Sequence, residues 1–216
     1  MKTFVLNGWA AGEDAWKLCA FRRERIFSYV EQLDGLPEKA IAECDEDVLA
    51  VGWSMGGSGA LRMFLEFPDK VRALVLVAAT ARMMKDENWP GMSERRLEAL
   101  RRGLEITRGE GFFGPAEGRP NPYVLDSGEN LERGLGYLRE TDLRARLATA
   151  ARREETPARI FQSEKDGIVR AENARHLAGI FPLSETTIVP GCEHALPVAI
   201  PDLIDSAVEE LAGGTK

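Results

Sequence analysis

Histidine is scarce in this chain of 216 residues: there are two, His176 and His194. Any chemistry that needs an imidazole must draw on one of them. Cysteine is nearly as rare. Cys19, Cys44 and Cys192 form neither a metal-spaced pair nor an even-numbered framework. A zinc site and a disulfide scaffold are therefore not expected, and reduced thiols in the cytoplasm fit best. Positive charge does not predominate. The 28 Lys and Arg residues face 35 Asp and Glu, a net charge of −7, which argues against general nucleic-acid binding. No apolar run approaches the roughly 18 residues of a membrane span. The first apolar run stops at Asn7, too short for the core of a signal peptide. Neither an internal repeat nor a low-complexity tract is present, and no cofactor is expected. The length fits one domain.

What is present is an alternation of strand and helix patterns. Residues 3–6 read as a short buried strand ending at Asn7-Gly8. Residues 11–22 read as a helix anchored by Trp16 and Phe21, and residues 25–31 as a second strand. Residues 36–44, with Pro37 in the first turn, read as a helix. Val48-Leu49-Ala50-Val51-Gly52 is apolar throughout, as in a parallel strand buried on both faces. A helix over 58–67 and a strand over 71–79 follow. From 82 to 155 no strong strand pattern occurs. Helical stretches at 93–107, 130–138 and 142–153 flank a Gly/Pro-rich segment, 109–122. Alternation then resumes, with strands at 158–162 and 185–189 and helices at 171–181 and 201–211. The pattern predicts an α/β fold, a mostly parallel central sheet flanked by helices. Residues 1–81 and 156–216 form the core, and 82–155 form a helical lid insertion.

Gly52-Trp53-Ser54-Met55-Gly56-Gly57 matches G-x-S-x-G directly between an apolar strand and a helix. That setting is what a nucleophile elbow needs: a turn so tight that small residues must stand two positions either side of the serine. Ser54 is thus the candidate nucleophile. A serine hydroxyl needs a base. His194 lies in a turn between the last strand and the last helix, whereas His176 sits within a helix pattern and reads as an ordinary surface or half-buried residue. The imidazole needs a carboxylate to hold it. Asp166 follows the strand at 158–162, giving the chain order Ser, Asp, His; Glu164 is the runner-up, and Asp166 could instead merely open a turn with Gly167. Two backbone N–H groups should form an oxyanion hole, one from Met55 and one from Trp9 in the loop Asn7-Gly8-Trp9-Ala10. The Trp9 indole could be core or pocket wall.

These residues resemble the α/β-hydrolase superfamily, and within it the pimeloyl-acyl-carrier-protein methyl ester carboxylesterases of biotin synthesis. The similar pieces are Asn7-Gly8-Trp9, Gly52-Trp53-Ser54-Met55-Gly56-Gly57 and Asn88-Trp89-Pro90-Gly91-Met92. Thr141-Asp142-Leu143-Arg144 resembles the family's return from lid to core. The chain departs from the family in Asn7, where His is usual, in a shortened N-terminus that omits two strands, and in a shorter lid.

The resemblance implies hydrolysis of the methyl ester of a pimeloyl group on an acyl-carrier protein. Trp53, Phe112 and Phe113 would line the acyl site, although the phenylalanines could simply anchor the lid. Carrier proteins are acidic, and Arg101, Arg102 and Arg108, beside Arg95 and Arg96, could dock one. A solvated helix face paired with Glu98 and Glu105 explains the same arginines equally well. Two other readings stay open: a generalist esterase or thioesterase for small acyl esters, and a non-catalytic protein that binds a small ligand.

Overall fold

The computed structural model describes residues 1–107, 121–124 and 126–213. The first strand, β1 (Lys2–Leu6), leads through a 3-10 turn (Glu13–Trp16) to β2 (Arg25–Phe27) and two helices, α1 (Tyr29–Leu33) and α2 (Leu36–Glu43). β3 (Val48–Trp53) runs straight into α3 (Met55–Glu66), and β4 (Val71–Val77) follows. The helices α4 (Glu94–Thr107), α5 (Gly128–Glu140) and α6 (Arg144–Ala148) precede β5 (Ala158–Ser163). The chain ends with α7 (Glu172–Ile180), β6 (Ser184–Val189), α8 (Leu196–Ala199) and α9 (Pro201–Gly213).

Among the described residues six strands form one sheet in the order β2-β1-β3-β4-β5-β6, and every neighbouring pair is parallel. Side chains alternate across it. Ala50, Leu74 and Leu76 pack with Leu61 and Phe64 of α3 and Leu177 of α7. Leu49, Val51, Val75 and Val77 face the other way, toward Ile204 and Val208 of α9. With helices on both faces, β3 is buried at all six positions, which is why its sequence is continuously apolar. The chain winds one way from β1 to β2 and the opposite way from β3 onward. The carboxyl ends of β1 and β3 therefore flank a topological switch point, where open α/β sheets leave a crevice for ligands.

Three expectations are corrected in detail. The helix expected over 11–22 is only the 3-10 turn. The Asp205 carboxylate accepts the N–H groups of Ala20 (2.8 Å) and Phe21 (3.2 Å), which a continuing helix would direct to its own carbonyls. The strand expected over 25–31 ends at Phe27, because Ser28 and Glu31 form a capping box that starts α1. The helix expected over 142–153 is α6 alone. There Asp142 is held by Arg82 and by Arg144 (2.8 Å), and Arg152 takes a left-handed backbone, φ 66°.

Candidate active site

The close packing at the switch point begins with glycine. A β-carbon on Gly56 would lie 1.9 Å from Leu6 O, and one on Gly52 would lie 2.2 Å from Gly56 O. Both obstacles are backbone, so neither can swing aside. We expect Gly56→Ala to cost about 3 kcal/mol or more, lowering the melting temperature by roughly 6–12 °C. Gly136→Ala in α5, where no described residue lies within 4 Å of the added β-carbon, should be neutral or slightly stabilising. Equal melting temperatures for the two variants would contradict this account of the elbow.

That packing allows β3 to turn into α3 within one residue. Ser54 takes φ 57° and ψ −118°, a conformation that a non-glycine residue adopts only when its surroundings hold it there. Its N–H donates to Val77 O at 2.9 Å. Its Oγ lies 2.8 Å from His194 Nε2, and His194 Nδ1 lies 2.7 Å from Asp166 Oδ2. All three residues are buried. With Nδ1–H donating to the carboxylate, Nε2 is left to accept the Ser54 hydroxyl. Asp166 is anchored in turn: Oδ1 accepts the Ile168 (2.8 Å) and Val169 (2.9 Å) N–H groups, and the Gln162 amide donates to Oδ2 at 3.3 Å. Glu164, the runner-up, is exposed. The arrangement can take a proton from Ser54 and hold the resulting imidazolium against a fixed carboxylate.

Trp53 braces the histidine. Its indole N–H donates to His194 O at 3.0 Å, and the two rings lie 5.7 Å apart. His176 is exposed and stacks on Trp89 at 4.5 Å, away from this chain of hydrogen bonds. Met55 opens α3, so its N–H has no acceptor within the helix. Gly8 packs against the elbow: a β-carbon there would lie 3.3 Å from Ser54 Cβ. Trp9 follows, its indole N–H donating to Leu131 O of α5 at 3.1 Å. A small cavity of about 30 Å³ opens beside Ser54 and His194. Trp9, Trp53, Met83, Met92, Leu100 and Tyr123 are among its walls, with Leu138 and Ile168. Burial raises the Tyr123 phenol well above its ordinary value, and the nearby Asp166 and Glu193 add to the effect.

The resemblance pointed to Trp53, whereas Met83, Met92, Leu100, Tyr123, Leu138 and Ile168 carry no local signature that marks a cavity wall. Arg108, Phe112 and Phe113 lie outside the described residues. Arg101 and Arg102 both bind Glu98, at 2.7 and 3.1 Å, and Arg101 also reaches Glu132 at 3.8 Å. The two guanidinium groups hold the Glu98 carboxyl down at about 2. Among the described residues no cluster of three or more His, Cys, Asp or Glu could hold a metal ion, and no helix is long and apolar enough to cross a membrane.

A family model described as the alpha/beta hydrolase fold matches residues 45–198. A pimeloyl-[acyl-carrier protein] methyl ester esterase of Edwardsiella ictaluri is 26% identical, covering 97% of this chain and 92% of that protein. One of Xanthomonas campestris is 31% identical over 72% of this chain and 67% of its own length. Among solved structures, an esterase from Exiguobacterium antarcticum superposes with a TM-score of 0.78 at 18% identity, covering 99% of this chain and 92% of that one. A hydrolase from Oleispira antarctica gives 0.73 at 17% identity, with coverages of 100% and 92%. With most of its length matched by the family model, and with ester hydrolases as its relatives, this chain belongs to the α/β-hydrolase fold family and is an ester hydrolase of the serine type.

Proposed function

We propose that the protein hydrolyses the methyl ester of a pimeloyl group carried on an acyl-carrier protein, in the cytoplasm and in the service of biotin synthesis. The observation that carries the reaction is the unbroken hydrogen-bonded chain from Ser54 through His194 to Asp166 at the wall of an apolar cavity. Ser54 Oγ attacks the ester carbonyl as its proton passes to His194 Nε2. The carbonyl oxygen becomes an oxyanion, which the N–H groups of Met55 and Trp9 stabilise. The C–O bond then breaks, and methanol leaves with the proton from His194. Water attacks the acyl-enzyme by the same relay, releasing the free acid and restoring Ser54.

The substrate assignment draws on the names of the relatives, and the apolar walls suit an acyl chain. Residues 82–155 serve as the lid: they supply Met83, Met92, Leu100, Tyr123 and Leu138 to the cavity. A volume of about 30 Å³ holds little more than a water molecule, so the wall must repack to admit a seven-carbon chain. Methionine, unbranched and adaptable, suits that task. The carrier docks on the arginine face of α4. Arg95 and Arg96 are exposed and have no carboxylate partner among the described residues, whereas Arg101 and Arg102 share Glu98.

The deciding comparison is turnover of pimeloyl-carrier methyl ester against the free methyl ester. We expect kcat/KM to favour the carrier-bound ester by about tenfold or more. Charge reversal at Arg95 and Arg96 together should remove that preference while sparing the free ester, because an acidic partner would then be repelled. Equal rates on both esters would support the generalist esterase.

A further inference from the structure

We propose that Gln32 is a positioning residue for the oxyanion loop: from α1, its side-chain amide holds the Asn7–Gly8 peptide at the height from which Trp9 faces Ser54. The inference rests on the hydrolytic reading of Ser54. Gln32 is buried, and its Nε2 donates to Asn7 O at 2.8 Å. The same nitrogen lies 3.4 Å from Phe27 O and 3.3 Å from Ser28 O. Three carbonyls on one side fix the sense of the amide, since the flipped form would set an oxygen against all of them. Two of these carbonyls are otherwise engaged. Phe27 O accepts the Asn7 N–H at 2.9 Å, and Ser28 O accepts the Gln32 backbone N–H at 3.1 Å. Among the described residues, Asn7 O has no hydrogen-bond donor besides the amide.

The other end of the amide is costly. Gln32 Oε1 is buried without a hydrogen-bond partner among the described residues, a loss that an apolar side chain of the same shape would avoid. What the glutamine offers in return is its donor. Glycines on α3 make room for it. A β-carbon on Gly59 would lie 2.6 Å from Gln32 Oε1, and one on Gly56 would lie 2.7 Å from Asn7 O. The amide, the loop carbonyl and the helix that begins at the elbow are thus stacked in direct contact. The side chain of Asn7 fixes the same residue from the other side. Its Oδ1 accepts the Trp16 indole N–H at 2.8 Å, and its Nδ2 donates to Gly12 O at 2.9 Å. The Asn7 carbonyl shares its peptide plane with the Gly8 N–H, so fixing that plane sets the start of the Gly8-Trp9 turn.

The test uses the intact protein with p-nitrophenyl acetate as substrate and phenylboronic acid as the probe of the tetrahedral state. For Gln32→Met we expect kcat to fall about 10- to 100-fold, less than the loss of a whole oxyanion donor. KM should stay within twofold, and boronate inhibition should weaken by the same factor as kcat. Gln32→Leu also removes the donor to Asn7 O and brings no ionisable group into the buried site. It should lose kcat likewise, and it serves if the methionine variant does not fold. Wild-type kcat in either folded variant would overturn the proposal. A loss carried by KM, or one without weaker boronate binding, would also overturn it. If Ser54→Ala kept its turnover, the reaction itself would fall. A dead Ser54→Ala beside a fully active Gln32→Leu would remove only the positioning role.

Discussion

Replacing Ser54 with alanine should lower kcat for p-nitrophenyl esters by about 10⁵- to 10⁶-fold while the melting curve stays in place. The size follows from the chemistry. Without Oγ there is no acyl-enzyme, and the remaining oxyanion donors and binding contacts support only a small residual rate. The fold should survive because alanine keeps the β-carbon that the turn already accommodates at Ser54, and a positive φ is held by alanine elsewhere, 55° at Ala10 and 45° at Ala78. A fluorophosphonate should label the wild type and not the variant. A rate within tenfold of wild type in a folded Ser54→Ala protein would end the assignment. A wild type that resists the label would favour the ligand-binding reading instead.

Asp166→Asn should be nearly as damaging, by about 10⁴-fold in kcat. The asparagine fits the same space and can still accept the N–H groups of Ile168 and Val169 through its oxygen. Its amide nitrogen would then face His194 Nδ1, now 2.7 Å from Asp166 Oδ2. An amide there donates where the carboxylate accepts. The imidazole would take the other tautomer, presenting N–H rather than a lone pair to Ser54. KM and the melting temperature should change little, which separates the loss from unfolding. Glu164→Gln is the matched control and should remain within about threefold of wild type, since Glu164 is exposed and distant surface changes are usually small. The reverse ranking, with Glu164→Gln the worse variant, would require a different acid.

The parts of the site that were legible in the sequence owe this to constraint. Ser54 stands where an apolar strand meets a helix between small residues, and few local structures share that pattern. His194 stood out because a chain with two histidines leaves little choice. The parallel sheet showed in the unbroken apolar run of β3. Other parts had no such signature. Met83, Met92 and Leu138 are apolar residues in helical or loop surroundings, and nothing local distinguishes a cavity wall from a core. Gln32 acts through a carbonyl 25 positions away along the chain, a contact that only the packing of α1 against the loop creates. The early end of β2 was written in the sequence, in Ser28 and Glu31 three residues apart. There the β-branched and aromatic content of residues 25–31 suggested a strand, and the capping box prevailed.

Trp9 has two attachments that bear on how such an enzyme can open. Its backbone belongs to the loop beside Ser54, while its indole is bound to Leu131 O and pressed against Gly134 of α5, where a β-carbon would come within 2.2 Å. Any outward swing of α5 strips the indole of its acceptor. Access and readiness are then linked quantities in the thermodynamic sense: the coupling by which an ordered loop favours a seated α5 is the same coupling by which a seated α5 favours an ordered loop. An ester too short to hold α5 in place would pay twice, in binding and in turnover.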